Sequence, residues 1–195
     1  MPDSILVLME PYQLNELHLW LALLVAVALA VVLVLLRKPL RHWRQERQIK
    51  RALKRLGARS LRNISLPDGL GGEIVIDNLL LAIDALLVVD VKRFDGLIFG
   101  STKTDMWTQV INKRSYRFPN PDRHLHAQVA AVSTLVPGTP VRGLHLFTHN
   151  AKFPKGKPSN VLQLADIRKQ PPRPKRKEIP GDLRKAWKEL CASSS

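Results

Sequence analysis

Residues 76–92 read IDNLLLAIDALLVVDVK, and the fold turns on how this stretch is laid out. Two apolar runs, 74–81 and 86–91, are rich in Val, Ile and Leu. Each has the length of a strand rather than of an independent helix. Ala82, Ile83, Asp84 and Ala85 between them make a tight connection, so the stretch predicts a β-hairpin. Three charged side chains stand inside the block: Asp77, Asp90 and Lys92. Burying a charge is costly unless it is paired or binds a metal. Asp90 and Lys92 are two apart, so on a strand they project from one face, roughly 6–7 Å apart along the backbone. Pairing around the turn brings Asp77 toward the same locus from the neighbouring strand. Two carboxylates and an amine converging there form a hard-cation site with a charge stabiliser beside it. The competing reading is an ion-pair network that only fixes strand register.

Outward from this block the chain changes character several times. Residues 17–36 are LHLWLALLVAVALAVVLVLL, apolar and uncharged apart from His18. That is about the 20 residues needed to cross a bilayer. Residues 1–16 carry Asp3, Glu10 and Glu16 and no Lys or Arg, whereas Arg37, Lys38, Arg41 and Arg44 follow the apolar run. A cleaved signal peptide wants the opposite arrangement. The pattern predicts a single-pass inner-membrane anchor with its N-terminus out and everything after residue 37 in the cytoplasm. Residues 41–56 place Trp43, Ile49, Leu53 and Leu56 at helical spacing among basic residues, with Gly57 as a stop. Glu46 is the sole acid of that helix, and an i,i+4 pair with Lys50 is its plainest role.

Residues 63–72 read as loop. Residues 96–100, 115–118, 141–148 and 161–164 read as short strands, and 101–113 as a polar excursion in which Trp107 packs. Residues 122–135 carry Leu125, Val129, Val132 and Leu135 at helical spacing, ended by Pro137-Gly138. From residue 168 the Pro and Lys/Arg content predicts a flexible basic tail with a short helix over 183–190. The order gives an α/β domain with a mixed central sheet flanked by helices. The divisions are 1–16 outside the membrane, 17–36 transmembrane, 37–43 basic juxtamembrane, 44–166 the folded domain and 167–195 the tail.

Thirty-one Lys and Arg against 16 Asp and Glu leave a net charge of +15, which favours an anionic partner. Nucleic acid and anionic lipid headgroups both qualify. The one cysteine, Cys191, excludes an intrachain disulfide. His124 and His126, two apart on a helix, do not share a face, and His145 in an apolar strand reads as a satisfied core histidine. Ser65 and Ser101 have no base beside them, and residues 69–72 lack the Lys-Ser/Thr ending of a phosphate loop.

The pattern resembles the PD-(D/E)XK nuclease core and, more narrowly, the nuclease-related domain (NERD) family, over roughly residues 44–166. Glu46, Ile49, Leu53 and Gly57 match its opening helix. Ile76-Asp77-Asn78-Leu79 and Val88-Val89-Asp90-Val91-Lys92 with Gly96 match its two signature strands. Trp107, the run Phe118-Pro119-Asn120-Pro121, and Phe147-Thr148 before Phe153-Pro154-Lys155-Gly156 resemble its later blocks. Asn78 stands where a His is common, Asp90 where Glu is commoner, and His124 where Gln is frequent. The resemblance implies a restriction-endonuclease-like core and a phosphodiesterase site. In that site Asp77, Asp90 and the main-chain carbonyl of Val91 hold Mg²⁺ or Mn²⁺. Lys92 orients the attacking water or neutralises the oxyanion, and Glu46 completes the set. The alternative is a non-catalytic, membrane-tethered nucleic-acid-binding or scaffold protein.

Overall fold

A computed structural model describes residues 16–67, 71–148 and 150–193. The acidic segment before Glu16 and residues 68–70 of the glycine-rich stretch therefore lie outside the described residues. The chain divides into two compact units, residues 1–44 and 45–195. Helix α1 (Glu16–Leu56) contributes to both. In the first unit it carries the apolar run, whose side chains are exposed, Leu24 at 67% and Leu35 at 69%. By length and composition this helix could span a membrane, and no other described helix qualifies.

The second unit holds two mixed sheets. Its strands are β1 (Arg59–Pro67), β2 (Glu73–Leu81), β3 (Leu86–Lys92), β4 (Gly96–Phe99), β5 (Met106–Ile111), β6 (Arg114–Pro119), β7 (Val141–Phe147), β8 (Ala151–Lys152) and β9 (Val161–Gln163). Helix α2 (Asp122–Leu135) precedes β7, and α3 (Gly181–Ser193) ends the described chain. The larger sheet runs β1-β2-β3-β7-β9, and the smaller β6-β5-β4-β8. The expected hairpin is present, with β2 and β3 antiparallel through Leu79↔Val88, Leu80↔Leu87 and Leu81↔Leu86. Strand β3 also pairs in parallel with β7, from Leu86↔Val141 to Lys92↔Phe147. Buried on both faces, β3 needs the continuous Val/Leu run it has.

Alternation along β3 sorts its side chains between two cores. Leu86 and Val88 join a cluster with Leu125 and Val132 of α2 and Leu183, Trp187 and Leu190 of α3. Leu87 and Val89 join Ile49, Ala52 and Leu53 of α1. A third cluster, Ile98, Trp107, Phe147, Ala151 and Val161, ties the smaller sheet to the end of β7, and Trp107 packs there fully buried, as expected.

Three expectations need correction. Residues 63–67 are strand rather than loop, since β1 runs to Pro67. The polar excursion contains β5, half-exposed because it sits in a small sheet. The segment after residue 168 is not a loose tail. Ile179, Leu183, Ala186, Trp187 and Leu190 are each at most 3% exposed, because α3 presents an apolar stripe at helical spacing to the main core.

Candidate active site

The site begins with a slip in β1 and β2. Leu79 and Leu81 face the α2/α3 core, and so does Ile76, three residues before Leu79. Strict alternation would send Ile76 to the other side. The same happens in β1, where Leu61, Ile64 and Leu66 share that core. The shift falls where Asn63, at φ 49°, stands between the paired residues Arg62↔Asn78 and Ile64↔Ile76. Asn tolerates the left-handed conformation better than most residues. The slip turns Asp77 toward α1, where it lines a cleft of about 300 Å³ with Glu46, Asn78, Val91 and Arg93. Glu46 is held there by Arg93, which donates from Nε at 3.1 Å and Nη2 at 2.7 Å. Lys50 also lines the cleft, but Glu46 pairs with Arg93 rather than with its helical neighbour. Asn78 is buried and donates to the Val89 carbonyl at 3.2 Å.

Asp90 continues the alternation to the α2 side and is 7% exposed. Lys92 Nζ lies 2.8 Å from its Oδ2, and His145 Nδ1 lies 3.1 Å from the same oxygen. Both contacts fall on Oδ2. Burial alone would raise the Asp90 pKa, but the hydrogen bonds from His145 and Lys92 outweigh it and hold the carboxyl below its ordinary value. His145, directly across from Asp90 in the β3–β7 ladder, is completely buried. Its Nε2 reaches Asp122 Oδ1 at 2.9 Å, and Asn160 donates to that oxygen at 2.7 Å. With a carboxylate at each ring nitrogen, both contacts are hydrogen bonds only if the two carboxylates and the ring together hold one proton beyond neutral imidazole.

Helix α2 comes close enough to supply Asp122 because β7 carries Gly143. A Cβ there would lie 2.7 Å from Leu125 Cγ and 3.0 Å from Val129 Cγ2. Asn120 Oδ1 accepts from the Asp122 backbone N–H at 2.9 Å and fixes the start of the helix. Asp122 Oδ2 is buried with no hydrogen-bond partner.

The structure thus places Glu46, Asp77 and Val91 around one cleft and joins Asp90 to Lys92 as a pair. Asp77 is not among the partners of Asp90. The donors are all oxygen, which suits a hard divalent cation, but they are divided between the cleft and the Asp90 pair. Among the described residues no group of three His, Cys, Asp or Glu side chains is gathered to hold a metal. Sequence reasoning gave His145 as a core histidine and missed its ties to Asp90 and Asp122. His124, by contrast, is exposed on α2.

This architecture is that of a PD-(D/E)XK-like nuclease domain. The family model described as nuclease-related domain matches residues 41–148, more than half the chain, and the protein belongs to that family. An uncharacterised protein of Bacillus anthracis is 31% identical over 94 residues, 47% of this chain and 44% of that relative. The chain therefore spans less than half the length of that relative. No solved structure matches.

Proposed function

We propose that the chain is a membrane-anchored, divalent-metal-dependent nuclease that hydrolyses nucleic-acid phosphodiesters on the cytoplasmic side. The supporting observation is the 2.8 Å contact of Lys92 with buried Asp90 on the strand bearing the family's Asp-x-Lys signature. Mg²⁺ or Mn²⁺ would be held by Asp77, Asp90 and the Val91 carbonyl, with Glu46 beside them. When bound, it activates water and neutralises charge on the phosphate. Asp90 would lend its carboxylate to the site with Oδ2 held by Lys92 and His145. Lys92, its side chain 26% exposed, presents an ammonium to the phosphate oxygens. Arg93 keeps the Glu46 carboxylate in the cleft, and Asn78 fixes the backbone beside it. The anchor is the apolar run of α1, oriented by Arg37, Lys38, Arg41 and Arg44.

The test uses the full chain in nanodiscs with supercoiled DNA and with RNA, in Mg²⁺, Mn²⁺ or EDTA. Metal-dependent cleavage lost in Asp90→Asn and Lys92→Ala supports the reading. No cleavage in either metal, or cleavage unchanged in Asp90→Asn, overturns it. A second reading, a tether that binds nucleic acid without cutting, draws on the +15 charge and on Asp90 being tied into a buried network. It predicts salt-dependent binding that survives loss of Asp77 and Asp90.

A further inference from the structure

The C-terminal segment builds a second hollow against Ala58, Arg59 and Leu81, with most of its lining beyond the family match. It has a volume of about 430 Å³. Six cationic side chains and no acidic one line it: Arg59 from β1, Arg173 and Lys175 from the connector, Arg176, and Arg184 and Lys188 from α3. Its floor is apolar, made by Leu81 and by the buried Trp187. Arg184 and Lys188 are four apart, so α3 projects both on one side while Leu183, Trp187 and Leu190 hold the helix on the core. Arg173 is pinned by donating to the Ala58 carbonyl at 2.6 Å. Among the described residues no ion pair engages Arg59, Arg176, Arg184 or Lys188. Like charges crowded in this way repel one another and cost stability unless an anion sits among them.

We propose that this hollow binds a soluble oligophosphate, a small molecule with two or more adjacent phosphate groups. The arrangement of charge decides the class. A single nucleic-acid strand carries one charge per roughly 3.4 Å and is met by cations spread along a groove. Here six exposed cations from four segments border one open hollow instead. A di- or triphosphate concentrates several charges in that space, and arginine forks match phosphate oxygens in pairs. The volume falls within the range of small-ligand pockets, about 300–1,000 Å³. None of Glu46, Asp77, Asp90 and Lys92 lines the hollow, so this site is independent of the nuclease reading.

The experiment is calorimetric titration of the full chain in nanodiscs of zwitterionic lipid, with EDTA present to remove divalent metal. The probes are sodium tripolyphosphate, ATP, orthophosphate and a single-stranded oligodeoxynucleotide. Saturable binding of tripolyphosphate and ATP at one per chain is expected, with orthophosphate at least about tenfold weaker. The paired change Arg184→Gln and Lys188→Gln should weaken both by about tenfold or more. Arg59→Gln on the facing strand should lower affinity in the same direction, which a folding defect of α3 would not mimic. Equal affinities assign the site to a bare phosphate chain, and tighter ATP assigns it to a nucleotide. Absence of binding at about 1 mM, or binding indifferent to these substitutions, overturns the proposal. It is equally overturned if the oligonucleotide binds more tightly than tripolyphosphate and loses affinity with the same changes.

Discussion

Replacing His145 with leucine tests the buried network most sharply. The imidazole is fully buried and holds Asp90 at 3.1 Å and Asp122 at 2.9 Å. Leucine fills much of the volume and removes both contacts. Asp90 keeps Lys92, and Asp122 keeps Asn160, but two carboxylates at 7% and 3% exposure lose the group between them. Removing one member of a buried ionic arrangement costs about 3–5 kcal/mol. That is a large part of the roughly 5–15 kcal/mol that holds a domain folded. For a domain of this size each kcal/mol lowers Tm by about 2–4 °C, so a fall of about 6–20 °C is expected. The assay is thermal melting of the detergent-solubilised full chain, followed by near-ultraviolet circular dichroism. Adding Asp122→Asn to the leucine variant should restore part of the loss, because Asp90 keeps Lys92 while the carboxylate left without a cationic partner is removed. A single His145→Leu change within about 1 kcal/mol of the parent would refute the reasoning, since the network would then contribute no more than a surface pair.

Three further outcomes follow from the same geometry. Asp90 has its pKa held below the ordinary 3.8, so its carboxylate stabilises the fold above about that pH. The contribution is lost as pH falls from there through the folded-state value, and Asp90→Asn should flatten the acid limb of a stability–pH curve. Gly143→Ala puts a methyl group 2.7 Å from Leu125 Cγ, so it should destabilise by about 1–3 kcal/mol and weaken the Asp122–His145 contact, read from the His145 proton resonances. Trp187→Ala opens the main core under α3 and should cost about 3–5 kcal/mol, with new proteolytic cleavage after residue 168.

The parts legible in the sequence were those with a period. The hairpin, the α2 stripe and β7 are read off apolar spacing, and α2 runs from Asp122 to Leu135 as expected. Strand β1 hid because RSLRNISLP is an edge strand, polar on its outer face and broken in phase at Asn63. That break also misled the reading of the site. Uninterrupted alternation along β2 would put Asp77 on the side of Leu79, which is the Asp90 side, whereas the slip carries it to the cleft beside Glu46. The His145–Asp122 contact spans 23 residues and depends on Gly143 letting α2 approach, which no local spacing encodes. The helix expected over 183–190 is present within α3, but its docking was missed, because a stripe of only a few apolar residues among Pro, Lys and Arg gains its stability from burial in the main core.

The central claim is that Asp77 and Asp90 serve one divalent cation in spite of their separate settings. Titration of Mn²⁺ into the metal-free full chain in nanodiscs, read by the loss of free-ion electron spin resonance, tests it directly. The account predicts saturable binding that falls by about tenfold or more in both Asp77→Asn and Asp90→Asn. Binding that persists in the two variants, or none in the parent chain, would contradict it.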